Sequence, residues 1–271
     1  MWEEVQETVN FIQNKIDFTP EYGIILGSGL GSFTNDIEIT HTISYKDIPN
    51  FPVSTVEGHN GALVFGTIGS KKVLAMQGRF HYYEGYSMQQ VTFPVRVMKQ
   101  LGINKLIVSN ASGGVNSDFK VGDVMLITDH VNNMPEHPLR GKNDERFGPR
   151  FVNMSAPYSK AMNTKVREIA VDLSIPIKEG VYVALQGPTF ETLAEYRMVK
   201  AIGGDCVGMS TVPEVIVAKH MDMDCLGISV ITDMGDAANI EGVNHEEVLE
   251  AAKLAEPKVR TLIKQFILRF S

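Results

Sequence analysis

Cysteine, tryptophan and surplus positive charge are all scarce in this chain of 271 residues. It has two cysteines, Cys206 and Cys225, and one tryptophan, Trp2. Two thiols are too few for a disulfide framework or a cysteine metal cluster. Lys and Arg total 25 against 32 Asp and Glu, a net charge of −7. That balance excludes a general nucleic-acid binder, which needs a basic face to release counterions. A local basic pocket for a small anion stays compatible with it. No apolar run approaches the roughly 20 residues that span a bilayer. The start, Met1-Trp2-Glu3-Glu4, is acidic and lacks the basic opening and apolar run of a secretory signal. The expectation is a globular, cytoplasmic protein that does not engage a membrane.

What is present is enough for a sizeable core. Apolar residues make up 44% and charged residues 21%, which excludes a disordered chain. The length allows one large domain or two small ones. With no repeat, low-complexity tract or compositional linker, the chain reads as a single domain over residues 1–271. Trp2, Val5, Val9, Ile12 and Ile16 recur at three- and four-residue spacing, predicting an amphipathic helix stopped by Pro20. Strands are expected at 23–26, 62–65, 72–76, 105–108, 123–127, 180–184, 206–207 and 225–231. Helices are expected over 89–101, 159–173, 191–202, 212–220 and 245–270. Such alternation predicts an α/β fold with a central mixed, mostly parallel sheet flanked by helices. Ligands of open α/β sheets bind beyond the carboxyl ends of strands.

Those ends carry unusual residues. Gly27-Ser28-Gly29-Leu30-Gly31 either cradles a phosphate through backbone N–H groups or is a plain tight turn. It is neither a P-loop nor a dinucleotide fingerprint, and the alternation over 33–39 suggests a following strand, not a helix. Arg79-Phe80-His81-Tyr82-Tyr83-Glu84 gathers a guanidinium, an imidazole and phenols after a strand. Arg suits phosphate oxygens and His titrates near neutrality, although a solvated aromatic loop has the same composition. His81 and Glu84 lack a nearby third ligand, so no metal site is expected. Asn110-Ala111-Ser112-Gly113-Gly114 reads as a turn that offers backbone donors. Ser210 and Thr211 precede a helix, as caps or as part of an anion site. Phe190-Glu191-Thr192 and Thr232-Asp233 put carboxylates at the sheet edge. In Asn244-His245-Glu246-Glu247, Asn244 is a candidate cap.

Taken together, these segments resemble the trimeric class of purine nucleoside phosphorylases. The resemblance also rests on Glu57-Gly58-His59, Gln77-Gly78-Arg79, Asn143-Asp144-Glu145-Arg146-Phe147, Gly187-Pro188-Thr189-Phe190-Glu191-Thr192, Gly208-Met209-Ser210-Thr211-Val212-Pro213-Glu214 and Asn244-His245-Glu246-Glu247-Val248. They span nearly the whole chain in order. The family cleaves purine nucleosides with phosphate to free base and α-ribose 1-phosphate, without a metal or organic cofactor. The resemblance implies phosphate contacts from Ser28, His59, Arg79, His81, Ala111 (through its N–H) and Ser210. It implies a ribose lined by Tyr83, Met209 and His245, and a base surrounded by Tyr182, Glu191 and Asp233. His81, Glu191 and Asp233 are the implied catalytic groups. Phe151 matches a phenylalanine that reaches the neighbouring subunit's sugar site, which implies a homotrimer.

One position departs from the pattern. Members specific for 6-oxopurines carry asparagine where this chain has Asp233, whereas the methylthioadenosine phosphorylases have aspartate. An ionised carboxylate only accepts hydrogen bonds and favours a 6-amino group. Glu191 favours the N1–H of a 6-oxopurine, and protonation of a buried Asp233 reconciles the two. The resemblance therefore implies inosine and guanosine as main substrates, with tolerance of adenosine. The alternative is a phosphorylase with substantial adenosine or methylthioadenosine activity. A nicotinamide dehydrogenase requires a helix after Gly31, and a non-catalytic purine-binding module leaves the Arg79–His81 pairing without a use.

Overall fold

A computed structural model describes residues 1–53, 61–235 and 244–270. The strands among them are β1 (Tyr22–Ile25), β2 (Glu38–Ser44), β3 (Ala62–Ile68), β4 (Lys71–Gln77), β5 (Lys105–Gly114), β6 (Val124–Asn132), β7 (Lys178–Ala184), β8 (Cys206–Gly208) and β9 (Asp224–Met234). The helices are α1 (Trp2–Gln13), α2 (Met88–Gln100), α3 (Lys160–Asp172), α4 (Leu193–Ala201), α5 (Val212–His220) and α6 (His245–Arg269).

The sheet runs β2-β3-β4-β1-β5-β8-β7-β6-β9, and β9 pairs again with β5. It is mixed and mostly parallel, as the alternation of elements predicts. The β1–β4, β1–β5, β5–β9, β6–β7 and β7–β8 ladders are parallel, and the other four are antiparallel. The β5–β9 ladder corrects the expectation of an open sheet, because it closes β5, β8, β7, β6 and β9 into a ring. That closure sets Gly113 against both Val207 and Asp233, so three strand ends meet at one point.

Both faces of the central sheet are buried, which is why β1, β3, β5 and β9 are largely apolar, whereas the edge strand β2 is mostly exposed. Leu106 and Val108 of β5 join the core beneath α1, α2 and α5. Ile107 between them joins the core beneath α3 and α6. Each such fully buried side chain contributes about 1.5–3 kcal/mol. Helix α5 is buried on nearly every side, including Glu214, as a helix threaded through a core must be. Helix α4 instead packs Tyr196 and Val199 on Val183 and Val207 in a small separate cluster.

Three further expectations change. Helix α1 ends at Gln13, well before Pro20, while Ile16 still packs on the core. Residues 31–36 form a 3-10 turn where a strand was expected. Contacts with α6 hold it: Glu256 accepts from the N–H and hydroxyl of Ser32, and Arg260 pairs with Asp36 at 2.8 Å. Residues 111–114 are not a turn but the end of β5, because both β8 and β9 pair with them.

Candidate active site

A cavity of about 530 Å³ lies where β1, β4, β5, β8 and β9 end. Its walls hold two polar clusters. The first is built on Arg79, which follows β4 and is only 1% exposed. Arg79 Nε donates to Glu214 Oε1 at 3.0 Å, and Nη2 pairs with the same oxygen at 3.0 Å. Nη1 donates to the Ser109 carbonyl at 2.7 Å and to Ser210 Oγ at 3.2 Å. A buried guanidinium is tolerated only when paired in this way. Gly27 brings the 27–31 loop onto this cluster: a Cβ there would sit 2.6 Å from the Ser109 carbonyl oxygen. Its N–H donates to Ser109 Oγ at 3.3 Å.

Ser210 is held from behind. The next residue, Thr211, adopts φ 71° and ψ −54°, a conformation that costs a β-branched residue about 1–3 kcal/mol. A buried polar network enforces it. Asn110 Nδ2 donates to Thr211 Oγ1 at 2.7 Å, and Ser229 Oγ donates to Asn110 Oδ1 at 2.6 Å. Neither hydroxyl caps α5. Thr211 occupies the cap position without a side-chain cap bond, and Ser210 serves Arg79 instead.

His81 is buried, and burial lowers its pKa. Glu84 Oε1 lies 3.1 Å from its Nδ1 and accepts its backbone N–H at 2.7 Å. A carboxylate only accepts, so the Nδ1 proton is fixed by this contact. The ring stacks on Tyr83 with centroids 4.7 Å apart. Burial pushes the Tyr83 phenol up to about 12, keeping it a neutral donor.

The second cluster is acidic. Thr232 Oγ1 donates to Asp233 Oδ1 at 3.0 Å, and the Tyr196 hydroxyl donates to Oδ2 at 3.2 Å. Burial raises the Asp233 pKa, and the two hydrogen bonds oppose the rise. Burial pushes Glu191 up to about 7. Its own backbone and the Tyr196 hydroxyl oppose that shift, while the charges of Asp233 and Glu195 add to it. Gly113 makes room for this cluster, since a Cβ there would meet Asp233 Oδ2 at 2.8 Å.

Ser28, Arg79, His81, Tyr83, Ala111, Glu191, Met209, Ser210, Asp233 and His245 are brought together in the cavity lining. Asn244 caps α6 by accepting the Glu247 N–H at 2.9 Å, which sets His245 on the first turn. Tyr182 does not line the cavity; it is fully buried, and its hydroxyl accepts the Ser210 N–H at 3.3 Å. Phe151 stands 89% exposed and outside the cavity of its own chain. His59 lies outside the described residues. Among the described residues no three His, Cys, Asp or Glu side chains gather as a metal site requires. Sequence reasoning assigned no role to Glu84, Asn110, Tyr196 or Glu214. Only Glu84 carried a local signal, its spacing three residues after His81.

The chain matches the family described as "Phosphorylase superfamily" over residues 21–268. It is 50% identical to purine nucleoside phosphorylase 1 of Geobacillus stearothermophilus, covering 97% of this chain and 96% of that protein. A crystal structure of isoform 2 of purine nucleoside phosphorylase from Schistosoma mansoni, in complex with cytosine and ribose-1-phosphate, superposes with a TM-score of 0.94. It is 40% identical and covers 100% of this chain and 97% of that one. A purine nucleoside phosphorylase of Schistosoma mansoni in complex with adenosine superposes with a TM-score of 0.93. It is 39% identical and covers 99% of this chain and 98% of that one. On matches of this extent, the chain belongs to the phosphorylase superfamily, on its purine nucleoside phosphorylase branch.

Proposed function

We propose that this chain cleaves purine nucleosides with inorganic phosphate, releasing the free base and α-ribose 1-phosphate. The observation that carries this reading is one cavity lined by both a paired, buried arginine with hydroxyl donors and a pair of pKa-raised carboxyls. The first cluster is the phosphate site. Arg79, Ser28, Ser210 and the Ala111 N–H hold the anion. His81, with its Nδ1 proton directed to Glu84, presents Nε2 to a protonated phosphate oxygen. A phosphate oxygen attacks C1′ of the sugar, and the electron pair of the C1′–N9 bond leaves with the purine. The anion is both nucleophile and stabiliser of positive charge on the ribose. With a 6-oxopurine, a protonated Asp233 donates to N7 of the departing base as general acid. Tyr83, Met209 and His245 line the ribose, with His245 near its 5′-hydroxyl. Holding both reactants in one cavity supplies rate by proximity.

Inosine and guanosine are the main substrates in this reading, and adenosine is tolerated. Methylthioadenosine fits less well, because His245 suits a polar 5′-group. The assembly is a homotrimer in which Phe151 enters the neighbouring sugar site. Its 89% exposure leaves the ring available for such a contact. Tyr182 belongs to the site through Ser210 and not through the base. A cytoplasmic setting is supported by two free, buried cysteines, Cys206 and Cys225. The family match over 21–268 supports one domain. The test is base release from inosine, guanosine and adenosine with and without phosphate. Strict phosphate dependence with inosine and guanosine is expected; binding without turnover overturns the reading.

A further inference from the structure

The Tyr196 hydroxyl stands between two acidic side chains. Its O–H donates to Asp233 Oδ2 at 3.2 Å, and the Glu191 carboxyl interacts with the Tyr196 hydroxyl too. Tyr196 is itself 5% exposed and sits outside the cavity lining, behind the carboxyls. Its ring is wedged against the chain: a Cβ at Gly235 would lie 2.3 Å from Tyr196 Cδ1. The hydroxyl therefore has little freedom to seek another partner.

The two purine classes make opposite demands on these carboxyls. A 6-oxopurine donates from N1–H and accepts at O6 and N7. It needs Glu191 ionised and Asp233 protonated. A 6-aminopurine accepts at N1 and donates from its 6-amino group. It needs Glu191 protonated and Asp233 ionised. Each arrangement holds one proton on the pair, and the two differ only in which carboxyl carries it.

We propose that Tyr196 is a positioning residue that couples Glu191 and Asp233 into a one-proton relay, so that the same site serves 6-oxo and 6-aminopurine nucleosides. The relay rests on the reading that Glu191 and Asp233 face the base. In the step that prepares the site for a 6-oxopurine, Glu191 gives its proton to the Tyr196 oxygen while Tyr196 gives its own to Asp233 Oδ2. The reverse step prepares it for a 6-aminopurine. Tyr196 is unchanged at the end of either, and the net charge of the cluster is conserved. Partial burial raises the pKa of both carboxyls, and neither is paired with a cation among the described residues, which favours one shared proton on the pair. The acidic groups facing it are Glu191 and Glu195 from the segment around the start of α4, Tyr196 from α4 and Asp233 from β9.

Tyr196→Phe keeps the ring and removes the relay. It also removes a donor that favours ionised Asp233, so Asp233 becomes a fixed donor. The adenosine-to-inosine ratio of kcat/KM is expected to fall about tenfold, the scale of one buried hydrogen bond. In an Asp233→Asn background the same substitution is expected to leave the ratio unchanged, because the amide is already a fixed donor. An equal fall for both substrates, or a further ratio change in the Asn background, makes Tyr196 a packing residue and overturns the relay. A wild-type protein that does not cleave adenosine overturns it too. Should Glu191→Gln and Asp233→Asn leave both substrates untouched, the reading of the base site itself fails, and that result is separate from the Tyr196 outcome.

Discussion

Arg79 and Glu214 face each other with side chains 2% and 3% exposed, an ion pair closed off from water. Glu191 and Asp233, on the same cavity, are partly exposed, and Asp233 is held by two hydroxyls. The first cluster stands on strand ends and on a buried helix, and its charges are fixed. The second stands on the segment before α4 and on the end of β9, and burial raises the pKa of both its carboxyls. A cavity of this kind can bind one constant partner rigidly and still accept variation in the other. The contrast also separates costs. Removing a member of the ion pair strands a buried charge, whereas changing a carboxyl to its amide leaves shape intact and alters only donors and acceptors.

The largest effect should come from breaking the rigid side. Arg79→Ala is expected to lower phosphorolytic kcat/KM by about 10²–10³ or more. It should also lower stability by about 3–5 kcal/mol, because Glu214 stays buried without its cation. Urea unfolding beside steady-state kinetics reads both. Adding Glu214→Gln to Arg79→Ala should recover part of the stability and none of the activity; recovery of activity would remove Arg79 from the anion site. On the other side, Asp233→Asn should fold normally and cut adenosine cleavage about tenfold or more against inosine. An unchanged ratio would mean that Asp233 does not read the 6-position.

Smaller tests sharpen the same contrast. Ser28→Ala should raise KM for phosphate by about three- to tenfold, the value of one hydroxyl hydrogen bond to an anion, with little change in KM for inosine. The reverse pattern would move Ser28 to the nucleoside. A pH effect tests the acidic side through stability and not through turnover. Burial raises Glu191 from an ordinary value of 4.5 to about 7. A carboxyl raised on folding is bound to its proton more tightly in the native state, so its contribution is favourable at low pH. That contribution is lost as pH climbs from about 4.5 through 7. Glu191→Gln removes the dependence. Thermal melts of the unliganded protein should therefore show Gln gaining on Glu between pH 5 and pH 8. A gap that does not change with pH would put Glu191 in an ordinary, solvated environment.

Much of the fold was legible because period and punctuation are local. Helix α5 runs over Val212–His220 as its apolar run predicts, and Lys71–Gln77 is a strand one residue longer at each end than its apolar segment. The errors fall where a distant segment decides. Residues 31–36 turn because Glu256 and Arg260 of α6 hold them. Residues 111–114 extend because β8 and β9 meet them there. The site followed the same rule. Residues that carry their own chemistry, such as Arg79, His81 and Asp233, stand out in a sequence. Residues that act by holding another, such as Glu214, Asn110 and Tyr196, look like ordinary helix or strand positions until their partners are known.

By itself the sequence determined the alternation of strands and helices, the glycines that allow close approach at 27 and 113, and the chemical kinds of group at the strand ends. These depend on residues a few positions apart, where side-chain period and backbone freedom are decisive. Only the tertiary structure decided that β9 returns to β5, that Arg79 meets Glu214 across 135 positions, and that Tyr196 stands behind Asp233. Burial and charge pairing act through space. The protonation of Glu191 and Asp233 therefore became a property of the folded chain and not of either residue's neighbours in sequence.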